Sequence, residues 1–132
     1  MLGREIVSFC RAYMRMQPPL PIRHSQMAVL EMLCSLPGVH TPVSIAEYIG
    51  VSRPMVAAHL SALQKAGYIT RVPSPDDGRS VYVLPTKSGK KLYAEYANAN
   101  NKILLDLSQK MGEKKYDAFI KLISAANKIL TE

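Results

Sequence analysis

The chain has 132 residues, 48% of them apolar, a length that suits one domain or one domain with arms that join it to a partner. This apolar share excludes wholesale disorder, and the two cysteines, Cys10 and Cys34, are too few for a disulfide framework or a cysteine zinc site. No apolar run approaches the ~18–20 residues that a membrane span needs, and the N-terminus lacks the apolar core of a signal peptide. We therefore expect a cytoplasmic protein that does not associate with a membrane.

The charge of the chain is concentrated in one segment. The 17 basic residues outnumber the 10 acidic ones, which gives a net charge of +7. Most of the excess falls between residues 52 and 91, where seven basic and two acidic side chains leave a net charge of +5. A localised basic surface favours a polyanionic partner, nucleic acid first. The alternative is a solvated cationic face, and charge alone does not separate the two.

The first half of the chain is predicted to be helical. Apolar residues recur every three or four positions over 2–16, which predicts an amphipathic helix that the prolines after Gln17 end. A second helix is predicted over about 23–35, ending before Pro37-Gly38. Thr41-Pro42 opens a short helix that Gly50 breaks. The alternation of apolar faces and helix-breaking residues therefore predicts three helices before residue 51.

The next helix has both of its ends marked in the sequence. Ser52 supplies an N-cap oxygen, and Pro54 is tolerated in the first turn. The inward face carries Val56, Leu60 and Leu63, and Gly67 provides the stop.

The period of the sequence then changes from that of helices to that of strands. Residues 68–72 and 80–84 are rich in β-branched and aromatic side chains and flank a polar turn segment, which predicts a β-hairpin. Thr86 caps a long helix predicted over about 87–111, and a last helix is predicted over about 113–131, with Tyr116, Phe119, Ile120, Ile123 and Leu130 as its buried face.

This order of elements predicts an α+β, mostly helical fold, a winged helix-turn-helix with N- and C-terminal dimerisation helices. Residues 1–22 form the N-terminal dimerisation helix and linker, 23–88 the winged DNA-binding domain, and 89–132 the C-terminal dimerisation helices. A braced helix can enter a major groove ~12 Å wide, and a basic hairpin can reach the adjacent minor groove. The apolar stripes at 2–16 and 116–130 exceed what one small winged domain can cover, so we expect a homodimer.

Three segments together form a motif pattern. They are Ser44-Ile45-Ala46-Glu47-Tyr48-Ile49-Gly50-Val51-Ser52-Arg53-Pro54-Met55-Val56, then Leu60-x-x-Leu63-x-x-x-Gly67-Tyr68-Ile69-x-Arg71, and Asp77-Gly78-Arg79-Ser80-Val81-x-Val83 followed by Thr86-x-x-Gly89. With these segments the sequence resembles the MarR-type (multiple antibiotic resistance) winged-helix regulators. The resemblance implies a dimeric transcriptional regulator that binds an inverted-repeat operator in double-stranded DNA. Such regulators usually repress transcription, and binding of a small-molecule effector or oxidation relieves this repression.

The predicted DNA-binding residues follow from this resemblance and from their chemistry. Ala57, Ala58 and Ala62 stand where the family often has polar or basic residues, so base reading should depend on the rest of the helix. An arginine at a wing tip is attracted to the negative potential of a narrow minor groove, and Asp77 can orient it. The predicted set is Ser52, Arg53, Pro54, His59, Ser61, Arg71, Asp77, Gly78 and Arg79.

Several alternatives remain open at the level of sequence. A winged helix can also serve as a protein-interaction scaffold with weak or no DNA binding. No nucleophile elbow, metal-ligand spacing or phosphate loop is present, so we expect neither an enzyme nor a metal or cofactor site. Cys10 is either a redox sensor or a small apolar residue. His59 either faces DNA or packs inward, and Met14, Met16, Met27, Met32 and Met55 either fill the core or line an effector pocket.

Overall fold

The computed structural model describes residues 2–76 and 78–132. Its elements, in chain order, are α1 (Arg4–Met16), α2 (His24–Ser35), α3 (Pro42–Ile49), α4 (Arg53–Lys65), β1 (Ile69–Pro73), β2 (Val81–Pro85), α5 (Lys87–Met111) and α6 (Glu113–Leu130). The two strands form one antiparallel sheet. The predicted mostly helical winged fold is confirmed. Within the described residues, no helix is both long and apolar enough to cross a membrane.

The chain divides into two compact units. The winged unit comprises Pro19–Tyr96, and the helical unit comprises the N-terminal residues through Pro18 together with Ala97–Glu132. The first part of α5 therefore belongs to the winged unit and the remainder to the helical unit.

The core of the winged unit is built from α2, α3, α4 and the sheet. The predicted inward residues Val56, Leu60 and Leu63 of α4 are fully buried, and Ile45 of α3 lies among them. α2 buries more than the single face predicted, because Val29 and Met32 are buried in addition to Met27, Leu30 and Leu33. This central position of α2 holds the neighbouring helices in place through apolar packing on several sides.

The helix boundaries follow the capping residues found in the sequence. Thr41 Oγ1 accepts a hydrogen bond from Ser44 N at 3.1 Å and so caps α3. Gly50 ends that helix with φ of +79°, a left-handed conformation that favours glycine. α1 begins at Arg4, and Leu2, predicted to belong to its stripe, lies before the helix.

The wing strands begin one residue later than predicted. Tyr68 does not join the sheet as its first residue, because its N–H donates to Leu63 O at 2.9 Å and closes the end of α4. Ser80 lies outside the strand, although its carbonyl still accepts a hydrogen bond from Ser74 N at 3.0 Å. A contact that the sequence did not predict extends the sheet, since Val83 N donates to His40 O at 2.9 Å.

The Thr-x-x-Gly segment after the wing joins β2 to α5. Thr86 Oγ1 accepts from Gly89 N at 3.1 Å, which confirms the predicted cap, and donates to Gly67 O at 2.6 Å. A Cβ on Gly89 would lie 2.1 Å from Tyr68 O, so only glycine fits at this point of α5. The segment therefore connects the end of α4, the wing and α5.

The helical unit holds α1, the later part of α5, and α6. Phe9 stacks on Tyr13 with ring centroids 5.9 Å apart and meets Phe119 edge-on at 5.4 Å. The Tyr13 hydroxyl donates to Asn100 Oδ1, and Gln17 Nε2 donates to the same oxygen at 3.2 Å. These contacts join α1 to α5 and to α6.

The apolar stripes of the helical unit are not buried within one chain. Neither α1 nor α6 contains a buried residue, so the predicted burial of the α6 stripe is wrong for the single chain. Ile6 is 70% exposed and Leu130 is 81% exposed. The methionines divide in the same way: Met27 and Met32 are buried, whereas Met14, Met16 and Met55 are exposed and fill no core.

Candidate nucleic-acid interface

The outward face of α4 is fixed by its buried inward face. Ser52 Oγ accepts from Met55 N at 3.3 Å, which confirms Ser52 as the N-cap, and Pro54 lies in the first turn. The predicted residues Ser52, Arg53, Pro54 and Ser61 are all exposed, as are Ala57, Ala58 and Ala62. The helix thus presents a shallow surface of small side chains with Arg53 at its N-terminal end.

His59 does not share this full exposure. Its side chain is half-buried, and its Nε2 atom is closed off from solvent without a hydrogen-bond partner. A ring nitrogen in this position cannot reach a base edge unless the side chain turns outward. Of the two hypotheses for His59, contact with DNA and inward packing, inward packing agrees better with the structure.

Arg71 lies on β1 opposite Val83 and contacts the end of α4. Its Nε donates to Oε1 of Gln64 at 2.7 Å. The arginine is half-buried and Gln64 is exposed. Arg71 belongs to the DNA-binding residues predicted from the sequence, whereas Gln64 does not. Nothing in the local pattern indicates which α4 residue the side chain of a strand residue will contact.

The turn of the wing projects from the ends of β1 and β2. Gly78 and Arg79 are exposed, whereas Asp77 lies outside the described residues. The base of the turn is held by the hydrogen bond from Ser74 N to Ser80 O and by one from Asp76 N to Ser74 Oγ at 3.3 Å. The turn therefore has a buried, hydrogen-bonded base at Ser74 and an exposed end that carries Arg79 and Asp76.

The predicted residues come together as parts of one compact unit. α4 packs on α3 and on β1, and β1 pairs with β2, so the outward face of α4 and the wing are both built on the same core. Lys65, Lys87, Lys90 and Lys91 add exposed cationic side chains to this unit. A helix flanked by a hairpin with an exposed arginine, on a unit with these lysines, suits duplex DNA, whose major groove admits a helix.

A family model and a curated relative both relate the chain to helix-turn-helix transcriptional regulators. The MarR family model matches residues 22–81, which include α2, α3, α4 and β1. An uncharacterized HTH-type transcriptional regulator of Mycobacterium leprae is 28% identical over 129 residues, which cover 98% of this chain and 87% of that protein.

Solved structures share the fold over most of the chain. Streptococcus pneumoniae FabT in complex with DNA has a TM-score of 0.76 at 23% identity, covering 83% of this chain and 76% of FabT. NadR in complex with 4-hydroxyphenylacetate has a TM-score of 0.76 at 22% identity, covering 98% of this chain and 94% of NadR. The scaffold alternative is not favoured by these relatives. Residues 22–81 therefore carry the winged helix-turn-helix of the MarR family, and nearly the whole chain is similar to an HTH-type transcriptional regulator.

Proposed function

We propose that the protein is a homodimeric, non-enzymatic repressor of the cytoplasm that binds inverted-repeat sites in double-stranded DNA and responds to a small-molecule effector. The observation that carries this proposal is the exposed outward face of α4 on the same core as the wing with its exposed Arg79. Both elements can therefore meet one duplex at once, the helix in the major groove and the wing in the adjacent minor groove.

The proposed contacts divide into positioning and reading. Exposed basic side chains neutralise phosphates and release counterions, which supplies affinity for any sequence. Arg53 and the hydroxyl groups of Ser52 and Ser61 reach base edges or phosphates, and the exposed alanines contact thymine methyl groups. Arg79 enters the minor groove, where a narrow groove concentrates negative potential. Sequence preference should therefore come from few polar contacts together with DNA shape.

The proposed dimer rests on the exposed apolar surface of α1 and α6. Exposing the large apolar side chains of both helices to water is unfavourable, and a second copy of the chain offers a matching apolar surface. A two-fold dimer carries two α4 helices, which suits two half-sites about one helical turn, roughly 10 bp, apart.

The relatives support DNA binding and the response to an effector. FabT has been crystallised with DNA, and NadR with 4-hydroxyphenylacetate, a small aromatic acid. By analogy, we propose that a small molecule changes the DNA affinity of this protein, since an effector that prefers one conformation shifts the population toward it.

Selection of genomic DNA fragments by the purified protein tests the proposal. Wild type should enrich fragments that share an inverted repeat with the stated spacing. The Arg53→Ala/Arg79→Ala variant should lose this enrichment, whereas Arg4→Ala, which removes an exposed arginine of the helical unit, should retain it. Recovery of fragments without a common motif, or no recovery above background, would contradict sequence-specific binding.

A further inference from the structure

Arg71 and Gln64 form a pair that joins β1 to the last turn of α4. Arg71 Nε donates to Gln64 Oε1 at 2.7 Å. This bond uses one of the five N–H groups of the guanidinium and leaves the four on its two terminal nitrogens. Among the described residues, Arg71 has no other hydrogen bond and no carboxylate within ion-pair distance. The arginine is thus fixed in orientation while most of its donors are unused.

The acceptor is a neutral amide, and this has an electrostatic consequence. A carboxylate in its place would hold the guanidinium equally well but would offset its positive charge. The amide of Gln64 orients Arg71 and leaves the full charge available to another anion. A guanidinium held in advance also loses less side-chain entropy when it binds.

The pair lies where α4 meets the first strand of the wing. Gln64 lies near the C-terminal end of α4, beside the exposed Lys65, and Arg71 lies in the middle of β1. α4 and the wing are the elements proposed to enter adjacent grooves, and the sugar–phosphate backbone separates those grooves. A planar, oriented guanidinium matches a phosphodiester, which can accept two parallel N–H bonds.

We infer that Gln64 is a positioning residue that holds Arg71 as a phosphate clamp between the major-groove helix and the minor-groove wing. The ligand is the phosphodiester backbone of DNA, so the contact contributes affinity on any sequence. The inference rests on the proposed DNA-binding function and adds to it a residue outside the predicted set and a division of labour within the pair.

A double-mutant cycle tests the pair, with dissociation constants measured on random-sequence duplex DNA. Gln64→Leu, which keeps the size but removes the acceptor, should weaken binding about three- to tenfold in the wild-type background. In the Arg71→Ala background the same change should alter affinity by less than about twofold, because nothing remains to be positioned. In the Arg71→Lys background it should also have little effect, since an ammonium lacks the planar fork.

Gln64→Glu separates orientation from charge. Glutamate keeps an acceptor for Nε but pairs with the guanidinium, so the slope of log affinity against log salt should become shallower by up to about 1, while the melting temperature stays at or above that of wild type. A merely structural role would lower the melting temperature of Gln64→Leu and leave the salt slope of Gln64→Glu unchanged.

The outcomes distinguish this inference from the proposed function. Equal weakening by Gln64→Leu in the wild-type and Arg71→Ala backgrounds, or wild-type affinity for Gln64→Leu, would overturn the clamp while DNA binding by the wild-type protein stands. Failure of the wild-type protein to bind any duplex would overturn both.

Discussion

Gly89 shows how one residue joins the wing to the long helix α5. The Cβ of any other residue would lie 2.1 Å from the carbonyl oxygen of Tyr68, and that oxygen already accepts a hydrogen bond from Thr86 N at 3.0 Å. Gly89→Ala should therefore lower the free energy of unfolding by about 1–3 kcal/mol, the usual cost of overpacking. Thermal melts check this, with Ser88→Ala at the exposed neighbouring position as control. A Gly89→Ala protein that melts with wild type would contradict the close approach.

The two cysteines differ in exposure, but we expect neither of them to act as a redox sensor. Burial raises the pKa of the Cys34 thiol, and the nearby Lys90 charge opposes this shift only in part. A raised pKa means less thiolate at neutral pH, and the thiolate is the form that peroxide attacks. Cys10 is exposed on α1, where Arg11 is adjacent in sequence but points about 100° around the helix.

We expect mild peroxide to leave DNA affinity unchanged in wild type and in the Cys10→Ser/Cys34→Ser protein. Binding titrations before and after treatment check this. Release of DNA by oxidised wild type but not by oxidised Cys10→Ser would show that Cys10 is a sensor.

At the scale of elements, the helices could be predicted more fully than the wing. Local signals set most helix ends: Thr41, Ser52 and Thr86 each supply a capping oxygen that the structure uses. Strand ends depend on pairing, and the N–H of Tyr68 is taken by α4 and not by the sheet. The hydrogen bond between His40 and Val83 joins residues 43 positions apart, and no local pattern indicates it.

The wing is expected to contact DNA through its turn. Its turn is exposed at Arg79 and held at its base by Ser74. Arg79→Ala should weaken DNA binding by about 1–3 kcal/mol, on random as well as on selected DNA, because we propose that Arg79 interacts mainly with the DNA backbone and the shape of the groove. The melting temperature should stay near that of wild type, since an exposed turn arginine contributes little to stability. Arg79→Ala affinity equal to wild type would remove the wing tip from the interface.

At the scale of the whole molecule, the exposed apolar stripes of α1 and α6 predict a homodimer. Leu122 is 71% exposed and Ile129 is 70% exposed, although both are large apolar side chains on a regular helix. Sedimentation velocity at micromolar concentration should therefore give the mass of a dimer. Ile6→Glu, which places a charge on the α1 stripe, should shift the equilibrium toward monomer, and Glu5→Gln at the neighbouring exposed position should not. A wild-type protein that sediments as a stable monomer would contradict the dimer.

The candidate site was predictable in its elements and less so in its geometry. The segments that resemble the family identify α4 and the wing, and their exposed residues agree with the predicted surface. The half-burial of His59 and the bond between Gln64 and Arg71 depend on how α4 packs against its neighbours. Periodicity assigns a residue to a helix face, but it does not say which side chain of another element meets it.

A salt titration decides whether the winged unit binds the phosphate backbone of duplex DNA, as we propose. Dissociation constants of the wild-type protein for a random-sequence duplex are measured from about 50 to 200 mM salt. We expect log affinity to fall linearly with log salt, with a slope that corresponds to several neutralised phosphates at about 0.9 each. Binding that does not change with salt, or no binding at the lowest salt, would contradict it.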